Sequence, residues 1–295
     1  MSENKRIADM LGRGKPVLSV EFFPPKDEAG GELIVRTAME IRESLRPDFV
    51  SITYGAGGTT RERTLRYARI LKDDCGFAVM PHLTCVGSSR DEIAEIVEGY
   101  AAEGFCNLMA LRGDPPKGQT DFQPHPEGFA YANELVGFLS KRFPGFSMGV
   151  AGYPEVHPEA TDAATDIRHL KTKVDAGAAF ITTQLFYDNA AFFQFVENCR
   201  SAGIQVPIIP GLMPIRSADQ ARRFCKTLPE ELEEALRIAG DDPAALRETG
   251  VAWSHRQIRE LLDFGVAGVH LYIMNRSGMA RDLIDRLRQD GYFTA

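Results

Sequence analysis

The sequence has little of what marks a secreted, membrane-spanning or nucleic-acid-binding protein. Its five cysteines are an odd number with no CxxC pair, which argues against a disulfide framework and favours reduced thiols. No apolar run approaches the roughly 18 residues of a membrane span, and the first residues lack the apolar segment of a signal peptide. Basic residues number 34 against 41 acidic ones, without a basic run. We therefore expect a cytoplasmic protein that binds neither nucleic acid nor membrane.

What the sequence does contain is an alternation of short β-rich apolar runs with longer amphipathic stretches. The predicted strands are 16–23, 48–55, 77–86, 107–113, 147–154, 180–187, 206–214 and 268–276. Several are apolar on both faces, which is typical of buried parallel strands. The predicted helices are 32–45, 59–72, 89–102, 126–142, 164–176, 190–202, 218–228 and 279–289.

Eight strand–helix units predict an α/β protein with a (β/α)8 barrel, in which residues 1–295 form a single catalytic domain. The interval between strands seven and eight is long, and 229–262 predicts one or two extra helices there. An open doubly wound sheet is the alternative. Against it, no GxGxxG turn follows the first strand.

Polar residues cluster at the carboxyl ends of the predicted strands, where such barrels build their active sites. They are Glu21, Thr53, Tyr54, His82, Thr84, Arg112, Asp114, Tyr153, Glu155, His157, Gln184, Asn275 and Arg276. Each costs on the order of 1–3 kcal/mol if it is buried without a partner. The whole set at one end predicts a functional site.

Two carboxylates in this set differ in their sequence surroundings. Glu21 stands between Val20 and two phenylalanines, so desolvation would favour its neutral form, which suits a general acid. Asp114 stands two residues from Arg112 and is expected to stay ionised. This pattern predicts one proton donor and one electrostatic group.

Other site chemistries can be compared on the same residues. A metal-dependent hydrolase or lyase could use His82, Asp114 and His157, but the first strand lacks a His-x-His pair. A Schiff-base aldolase needs a lysine within a strand, and none of the eight predicted strands has one in its interior. A phosphate site after strands seven and eight has only Gly211 and Ser277 in its favour.

Nine motifs run through the chain in a fixed order. They are EFFPPK at 21–26, VSITYGAGG at 50–58, PHLTC at 81–85, ALRGDPP at 110–116, YPEVHPEA at 153–160, KTKVDAGA at 171–178, ITTQLFYD at 181–188, IIPGLMPI at 208–215 and YIMNR at 272–276. In these motifs the chain resembles the methylenetetrahydrofolate reductase family. The resemblance covers nearly the whole chain.

The resemblance implies an FAD at the barrel mouth and two half-reactions at one site. NADH or NADPH reduces the flavin, which then passes hydride to 5,10-methylenetetrahydrofolate to give 5-methyltetrahydrofolate. Glu21 matches the family's general acid and Asp114 its carboxylate near flavin and pterin. The resemblance also implies no metal, no regulatory domain and a homo-oligomer. An inactive binding scaffold is the non-enzymatic alternative, against which the intact Glu21, Asp114 and Gln184 argue.

Further positions match the family residue by residue. The folate contacts implied are Glu21, Asp114, Gln184, Gln220, Phe224 and Arg276. The flavin contacts implied are Thr53, Tyr54, His82, Leu83, Thr84, Arg112, Gly113, Asp114, Tyr131, Ala132, Tyr153, His157, Asp166, His169 and Lys173. The chain departs from family patterns at His169 and Thr172, which affects contacts to the adenosine end, and at Leu271, Ile273 and Met274, which affects the packing of folate or nicotinamide.

Overall fold

Parallel strands form the inner layer of the computed structural model, which describes residues 5–54, 61–114, 122–225 and 228–294. They are β1 (Val17–Phe22), β2 (Phe49–Ile52), β3 (Val79–Thr84), β4 (Asn107–Leu111), β5 (Ser147–Gly152), β6 (Phe180–Thr183), β7 (Ile208–Ile209), β8 (Gly211–Leu212) and β9 (Gly268–Tyr272). They pair in the order β7-β6-β5-β4-β3-β2-β1-β9-β8, and every observed pairing is parallel.

The ninth strand segment arises because Pro210 divides the predicted seventh strand. β7 pairs with β6 on one side of Pro210, and β8 pairs with β9 on the other. Proline has no N–H to donate to a ladder, which explains a break at this residue. Its carbonyl still accepts a hydrogen bond from the His270 N–H at 2.9 Å. Two halves of one strand thus close the ring, so the (β/α)8 barrel is confirmed and the open-sheet alternative is wrong.

Helices surround the strands close to where the sequence predicts them. They are α1 (Ile7–Leu11), α2 (Glu28–Ser44), α3 (Arg61–Arg69, continued by a π-helical turn Ile70–Asp74), α4 (Arg90–Ala102), α5 (Ala132–Arg142), α6 (Ala163–Asp175), α7 (Asn189–Ser201), α8 (Ala218–Phe224), α9 (Glu230–Ala239), α10 (Pro243–Asp263) and α11 (Gly278–Gln289). The extra helices between strands seven and eight are α9 and α10, as predicted. The predicted helix 126–142 begins only at Ala132, and 218–228 ends at Phe224.

Helix α1 closes the amino-terminal end of the barrel and was not predicted. Its Ile7 and Met10 pack in one apolar cluster with Val17, Phe49 and Met80. The Ile7 N–H donates to Asn107 Oδ1 at 2.8 Å, which satisfies an otherwise unpaired donor at the helix start. An apolar cluster therefore fills the barrel interior at this end.

Residues two apart on β1 change from apolar to polar toward the carboxyl end. The order on this face is Val17, Ser19 and Glu21, and side chains two apart share one face of a strand. Strand register places Ser19 beside His270, and Glu21 beside Ser51 and Tyr272. The polar side chains therefore gather in the half of the barrel that faces away from α1.

Candidate active site

A cavity of about 690 Å³ opens at the carboxyl ends of the strands. It takes in Glu21 from β1, His82 from β3 and Asp114 from the segment after β4. The predicted site residues that line it are Glu21, Thr53, Tyr54, His82, Thr84, Arg112, Gly113, Asp114, Ala132, Tyr153, His157, Lys173, Gln184 and Phe224. The two carboxylates singled out in the sequence thus share one cavity, and Asp114 is the more exposed of them.

Six other predicted site residues lie outside this wall. Leu83 is fully buried in the core between the strands and the helices, and the Tyr131 side chain is 60% exposed. Asp166 and His169 lie on α6, where Asp166 Oδ2 accepts a hydrogen bond from the His157 N–H at 2.9 Å. Gln220 and Arg276 line a neighbouring cavity, described below.

Glu21 lies in a buried polar cluster, and its side chain is only 8% exposed. Ser51 Oγ donates a hydrogen bond to Glu21 Oε2 at 3.2 Å. The same oxygen lies 3.3 Å from His82 Nε2 and 3.5 Å from His270 Nε2. One carboxylate therefore faces two imidazoles.

These neighbours decide the charge of Glu21 against the effect of burial. Burial raises the pKa of Glu21, but the close contacts with His270 and His82 outweigh it and bring the pKa to about 2. The sequence-based expectation that desolvation dominates is therefore wrong for this structure. Glu21 is ionised here, so a proton that it delivers has to reach it first.

Cationic groups line the opposite wall of the cavity, where α6 and β5 meet. Lys173 Nζ donates a hydrogen bond to the Ala151 carbonyl at 2.6 Å. Burial lowers the pKa of Lys173 to about 8, and the nearby Asp166 carboxylate offsets only part of this effect. In the described part of the chain, no carboxylate lies within ion-pair distance of Lys173. An anionic ligand in the cavity could therefore form an ion pair with Lys173.

Arg112 is already paired at the rim. Its two terminal nitrogens each donate to Glu159 at 2.6 Å, a bidentate ion pair. Its guanidinium also lies 5.0 Å from the centroid of the Phe122 ring. A ligand phosphate would meet the remaining N–H groups of Arg112 or compete with Glu159 for the paired ones.

A second cavity of about 530 Å³ adjoins the first, and Tyr272 and Met274 line both. Arg216, Gln220 and Arg276 line its wall. Burial, followed by the repulsion of Arg276, lowers the pKa of Arg216. Neither arginine makes an ion pair with any residue in the four described segments. Two like charges that face one cavity favour an anionic ligand there.

Comparison with known proteins bears on what occupies these cavities. A family model described as "Methylenetetrahydrofolate reductase" matches residues 6–288. The chain belongs to the methylenetetrahydrofolate reductase family. The 5,10-methylenetetrahydrofolate reductase of Escherichia coli (strain K12) is 37% identical over 281 residues, which are 94% of this chain and 92% of that protein.

Plant members of the reductase family are longer. Methylenetetrahydrofolate reductase (NADH) 1 of Arabidopsis thaliana is 39% identical over 284 residues, which are 92% of this chain and 48% of that protein. The Zea mays protein of the same name is 37% identical over 297 residues and is matched over 50% of its length. The chain therefore spans about half the length of these plant relatives.

Solved structures share the barrel at low sequence identity. A Clostridium thermocellum protein, described as binding two copies of 5-methyl-5,6,7,8-tetrahydrofolic acid, superposes with a TM-score of 0.63 at 16% identity, over 96% of this chain and 98% of that one. An oxaloacetate acetylhydrolase superposes with a TM-score of 0.55 at 13% identity, over 100% and 90% of the two chains. At these identities the likeness shows the fold alone.

The wall of the main cavity fits the flavin that a methylenetetrahydrofolate reductase would hold. Within the described residues, His82 Nε2, Thr84 Oγ1 and Thr182 Oγ1 are buried without hydrogen-bond partners. Buried polar atoms seldom stay unpaired, and the polar edge of a flavin ring could pair with such atoms. Gly113 has φ +91°, and a Cβ there would lie 2.9 Å from Thr84 Cβ, so only glycine fits this wall.

The metal-dependent alternative gains no support from the structure of this family member. Over the described residues, His82, Asp114 and His157 do not come together as a metal-binding group, and no other three His, Cys, Asp or Glu side chains do. His157 Nδ1 instead accepts a hydrogen bond from the Glu159 N–H at 3.1 Å.

No helix of the described segments is both long and apolar enough to cross a membrane.

Sequence reasoning missed several polar residues in and behind the cavity wall. They are Ser19, Ser51, Thr182 and His270. The signal was available, because Ser19 stands two residues before Glu21 and His270 two before Tyr272, on the same faces of their strands. A polar residue at an inward position of a buried strand, next to a predicted site residue on the same face, indicates that it belongs to the site.

Proposed function

We propose that the chain is an FAD-dependent 5,10-methylenetetrahydrofolate reductase that uses NADH or NADPH as reductant in a ping-pong reaction. Bound FAD would accept hydride from the nicotinamide and donate it to the one-carbon unit of the folate. The observation that carries the proposal is the shared cavity of Glu21 and Asp114, lined by buried polar atoms without partners. The plant relatives carry NADH in their names, which favours NADH.

Glu21 is proposed as the general acid. The methylene carbon of the folate can accept hydride only after one C–N bond of its five-membered ring has broken. A proton from Glu21 Oε2 to that nitrogen lets the bond break and leaves a cationic one-carbon group. General acids of this kind contribute about 10²- to 10⁴-fold to a rate. Glu21 suits this role because it is buried and still reaches the cavity.

Asp114 is proposed as the electrostatic partner of that cation. It is exposed on the cavity rim, so it can remain charged while the cationic group forms. A fixed negative charge near a developing positive one stabilises the transition state without moving a proton. Glu21 and Asp114 therefore take different roles in one cavity.

The cationic side of the wall is proposed to hold the pyrophosphate of FAD. Lys173 lacks a carboxylate partner among the described residues, and the pyrophosphate would supply an anion for it to pair with. His157 and Tyr153 pack against each other in this wall, with ring centroids 4.5 Å apart. Thr53, Thr84 and Gly113 are proposed to contact the flavin ring.

The folate is proposed to span both cavities. Gln184 and Phe224 line the main one, where a pterin ring would need a hydrogen-bond partner and an aromatic face. Gln220 and Arg276 line the second, with Arg216 beside them, which suits the carboxylates of the folate tail. The Clostridium thermocellum protein with the same fold is described as binding a methylated folate.

Absorbance spectroscopy of the purified protein tests the proposal. We expect a flavin band that NADH or NADPH bleaches and that 5,10-methylenetetrahydrofolate restores. A protein that stays colourless after incubation with FAD would contradict the proposal. Activity that depends on stoichiometric zinc or manganese and is lost to a chelator would instead support the metal-dependent alternative.

A further inference from the structure

A histidine that the general-acid role does not use lies directly behind Glu21. His270 is on β9 and is only 1% exposed. Its Nδ1 lies 2.8 Å from Ser19 Oγ, and its Nε2 lies 3.5 Å from Glu21 Oε2. The imidazole therefore bridges a serine and the proposed acid, in a part of the barrel that solvent hardly reaches.

Ser19 suits a ring that gains and loses a proton. Its hydroxyl donates to the Val269 carbonyl at 3.2 Å, which leaves the oxygen free to accept a hydrogen bond from Nδ1–H. A hydroxyl can also turn and donate to a bare Nδ1. His270 thus keeps a hydrogen-bond partner at Nδ1 in either protonation state, and Nε2 is the nitrogen that faces Glu21.

The charges around the cluster favour a proton on an imidazole. The titratable groups in contact with His270 are Glu21 from β1 and Tyr272 on its own strand, and His82 from β3 meets the same Glu21 oxygen. The Tyr272 hydroxyl donates to the Thr183 carbonyl at 2.7 Å and adds no charge. Glu21 is therefore the one anion within contact distance of His270 among the described residues.

His82 is a weaker candidate for the same task. Its Nε2 lies 3.3 Å from Glu21 Oε2 but has no hydrogen-bond partner among the described residues, whereas His270 Nε2 also lies 3.5 Å from Ser51 Oγ, which donates to the same carboxylate oxygen. Both imidazoles line the main cavity, and His82 is the more exposed of the two, at 8% against 1%. The His270 ring stacks on Phe49 with centroids 6.4 Å apart and meets the Tyr272 ring edge-on at 5.1 Å. Its fixed ring and its serine partner make it the better proton carrier.

We propose that His270 stores the proton that Glu21 passes to the substrate, and that Ser19 positions the ring for this exchange. The inference rests on the proposed function and adds a positioning residue and a proton source to it. Glu21 is the catalytic residue, because it alone of the three would touch the folate.

The step balances without a further reactant. The Nε2–H bond of the imidazolium breaks as an O–H bond forms on Glu21 Oε2. That O–H bond breaks as the folate nitrogen takes the proton, and the electron pair of the breaking C–N bond stays on the nitrogen. His270 is left neutral and Glu21 ionised. A solvent proton, delivered by hydronium or a buffer acid, then returns to Nε2 through the carboxylate.

Nitrogen NMR of the histidine rings tests the stored proton without any flavin chemistry. The chain has six histidines, and His270→Gln would identify the resonance of interest. Near neutral pH we expect His270 to carry protons on both nitrogens, and to lose one in Glu21→Gln, where the stabilising anion is gone. A ring that is neutral in the wild type, or unchanged in Glu21→Gln, would overturn the inference.

Stopped-flow measurement of the two half-reactions tests the catalytic consequence. Glutamine at position 270 can still donate one N–H toward Glu21 but cannot exchange a proton. We expect His270→Gln to slow flavin reoxidation by methylenetetrahydrofolate about 10- to 100-fold, less than the 10²- to 10⁴-fold of a lost general acid because Glu21 is still present, and to leave flavin reduction unchanged. His255→Gln, a surface histidine paired with Asp290 at 2.8 Å, is the matched control.

Ser19→Ala keeps the ring and removes only its partner at Nδ1. The rate of reoxidation should decline as pH rises, and in Ser19→Ala we expect this decline to begin at a lower pH than in the wild type. The reason is that the imidazolium loses a hydrogen-bond acceptor and gives up its proton more easily. Equal slowing of both half-reactions in His270→Gln, or an unchanged pH profile in Ser19→Ala, would show a merely structural role. If the wild type itself is not reoxidised by methylenetetrahydrofolate, the proposed function fails, whatever the variants do.

Discussion

Single side chains in this barrel carry opposing electrostatic effects, and contact geometry decides between them. Glu21 shows this, because burial raises its pKa while two imidazoles bring it down to about 2. Its neighbours in the sequence, Val20 and Phe22, indicate burial but not the imidazoles, which come from β3 and β9. The protonation of a buried acid depends on residues distant in the chain, so the sequence alone could not settle it.

Substitution of Glu21 by glutamine should separate the two half-reactions. Glutamine keeps the shape of the side chain but has no proton to give. Flavin reduction by the nicotinamide should continue at a near wild-type rate, and reoxidation by methylenetetrahydrofolate should fall at least about 10²-fold. Single-turnover absorbance measurements follow both. Loss of both steps together would contradict the acid role of Glu21.

Substitution of Lys173 by methionine should make the barrel more stable and the cofactor site weaker. The folded pKa of about 8 lies below the ordinary 10.5, so the unfolded chain binds the proton more tightly, and Lys173 opposes folding below pH 8. This penalty shrinks as pH rises from 8 to 10.5. We expect a higher Tm for Lys173→Met at neutral pH and a smaller difference near pH 10.

The same variant should bind FAD less tightly, because the pyrophosphate would lose the cationic partner proposed for it. Fluorescence quenching of added FAD measures this, with Lys171→Met as the control. Lys171 stands on the same helix and pairs with Asp175, outside the cavity wall. Equal affinity in the wild type and Lys173→Met would place the phosphate elsewhere.

Among the secondary-structure elements, strand ends far apart in the chain are joined at the cavity. Asn275, just after β9, accepts a hydrogen bond from the Phe23 N–H and donates one to the Phe23 carbonyl, both at 2.9 Å. Its φ is +54°, a left-handed conformation that asparagine tolerates better than most residues. This pair fixes the chain immediately after Glu21.

Asn275→Ala should therefore loosen the end of β1 and cost stability. Two hydrogen bonds to backbone are lost, and alanine is strained at positive φ, so we expect about 1–3 kcal/mol of lost unfolding free energy. Urea denaturation measures the loss, and KM for the folate should rise with it. Asn275→Gly tolerates the positive φ and removes only the two hydrogen bonds. If it lowered the unfolding free energy as much as Asn275→Ala does, backbone strain would not contribute to the effect of alanine.

The elements themselves were largely predictable, and the exceptions have physical causes. Alternation of apolar runs placed every barrel strand, and the predicted helix 89–102 agrees with α4, which a capping box of Ser89 and Glu92 starts. The split at Pro210 escaped prediction because it depends on which neighbour each half pairs with. The pairing of Arg112 with Glu159 escaped because it joins residues 47 positions apart.

At the scale of the whole molecule, stability and chemistry are assigned to opposite ends of the barrel. Ile7 is fully buried at the closed end, against Val17 and Phe49. Ile7→Ala should cost about 2–5 kcal/mol of unfolding free energy, the usual range for such a truncation in a core. Flavin reduction should stay at the wild-type rate, as measured well below the new Tm.

A surface isoleucine provides the control for this prediction. Ile238 on α9 is 72% exposed, and Ile238→Ala should change the unfolding free energy by less than about 0.5 kcal/mol. If Ile7→Ala instead slowed flavin reduction in proportion to its loss of stability, the two ends of the barrel would not be independent.

The divided strand at Pro210 gives the ring a seam. Each half contributes only two residues to its ladder, whereas β1 pairs along four residues with β2 and five with β9. Local opening of the strand ladder should therefore occur more readily here than elsewhere. Amide hydrogen exchange should be faster at Ile209 and Leu212 than at Val20. Met213 follows Leu212 directly and lines the main cavity. Local opening at Pro210 would therefore also widen the entrance through which a ligand reaches this cavity.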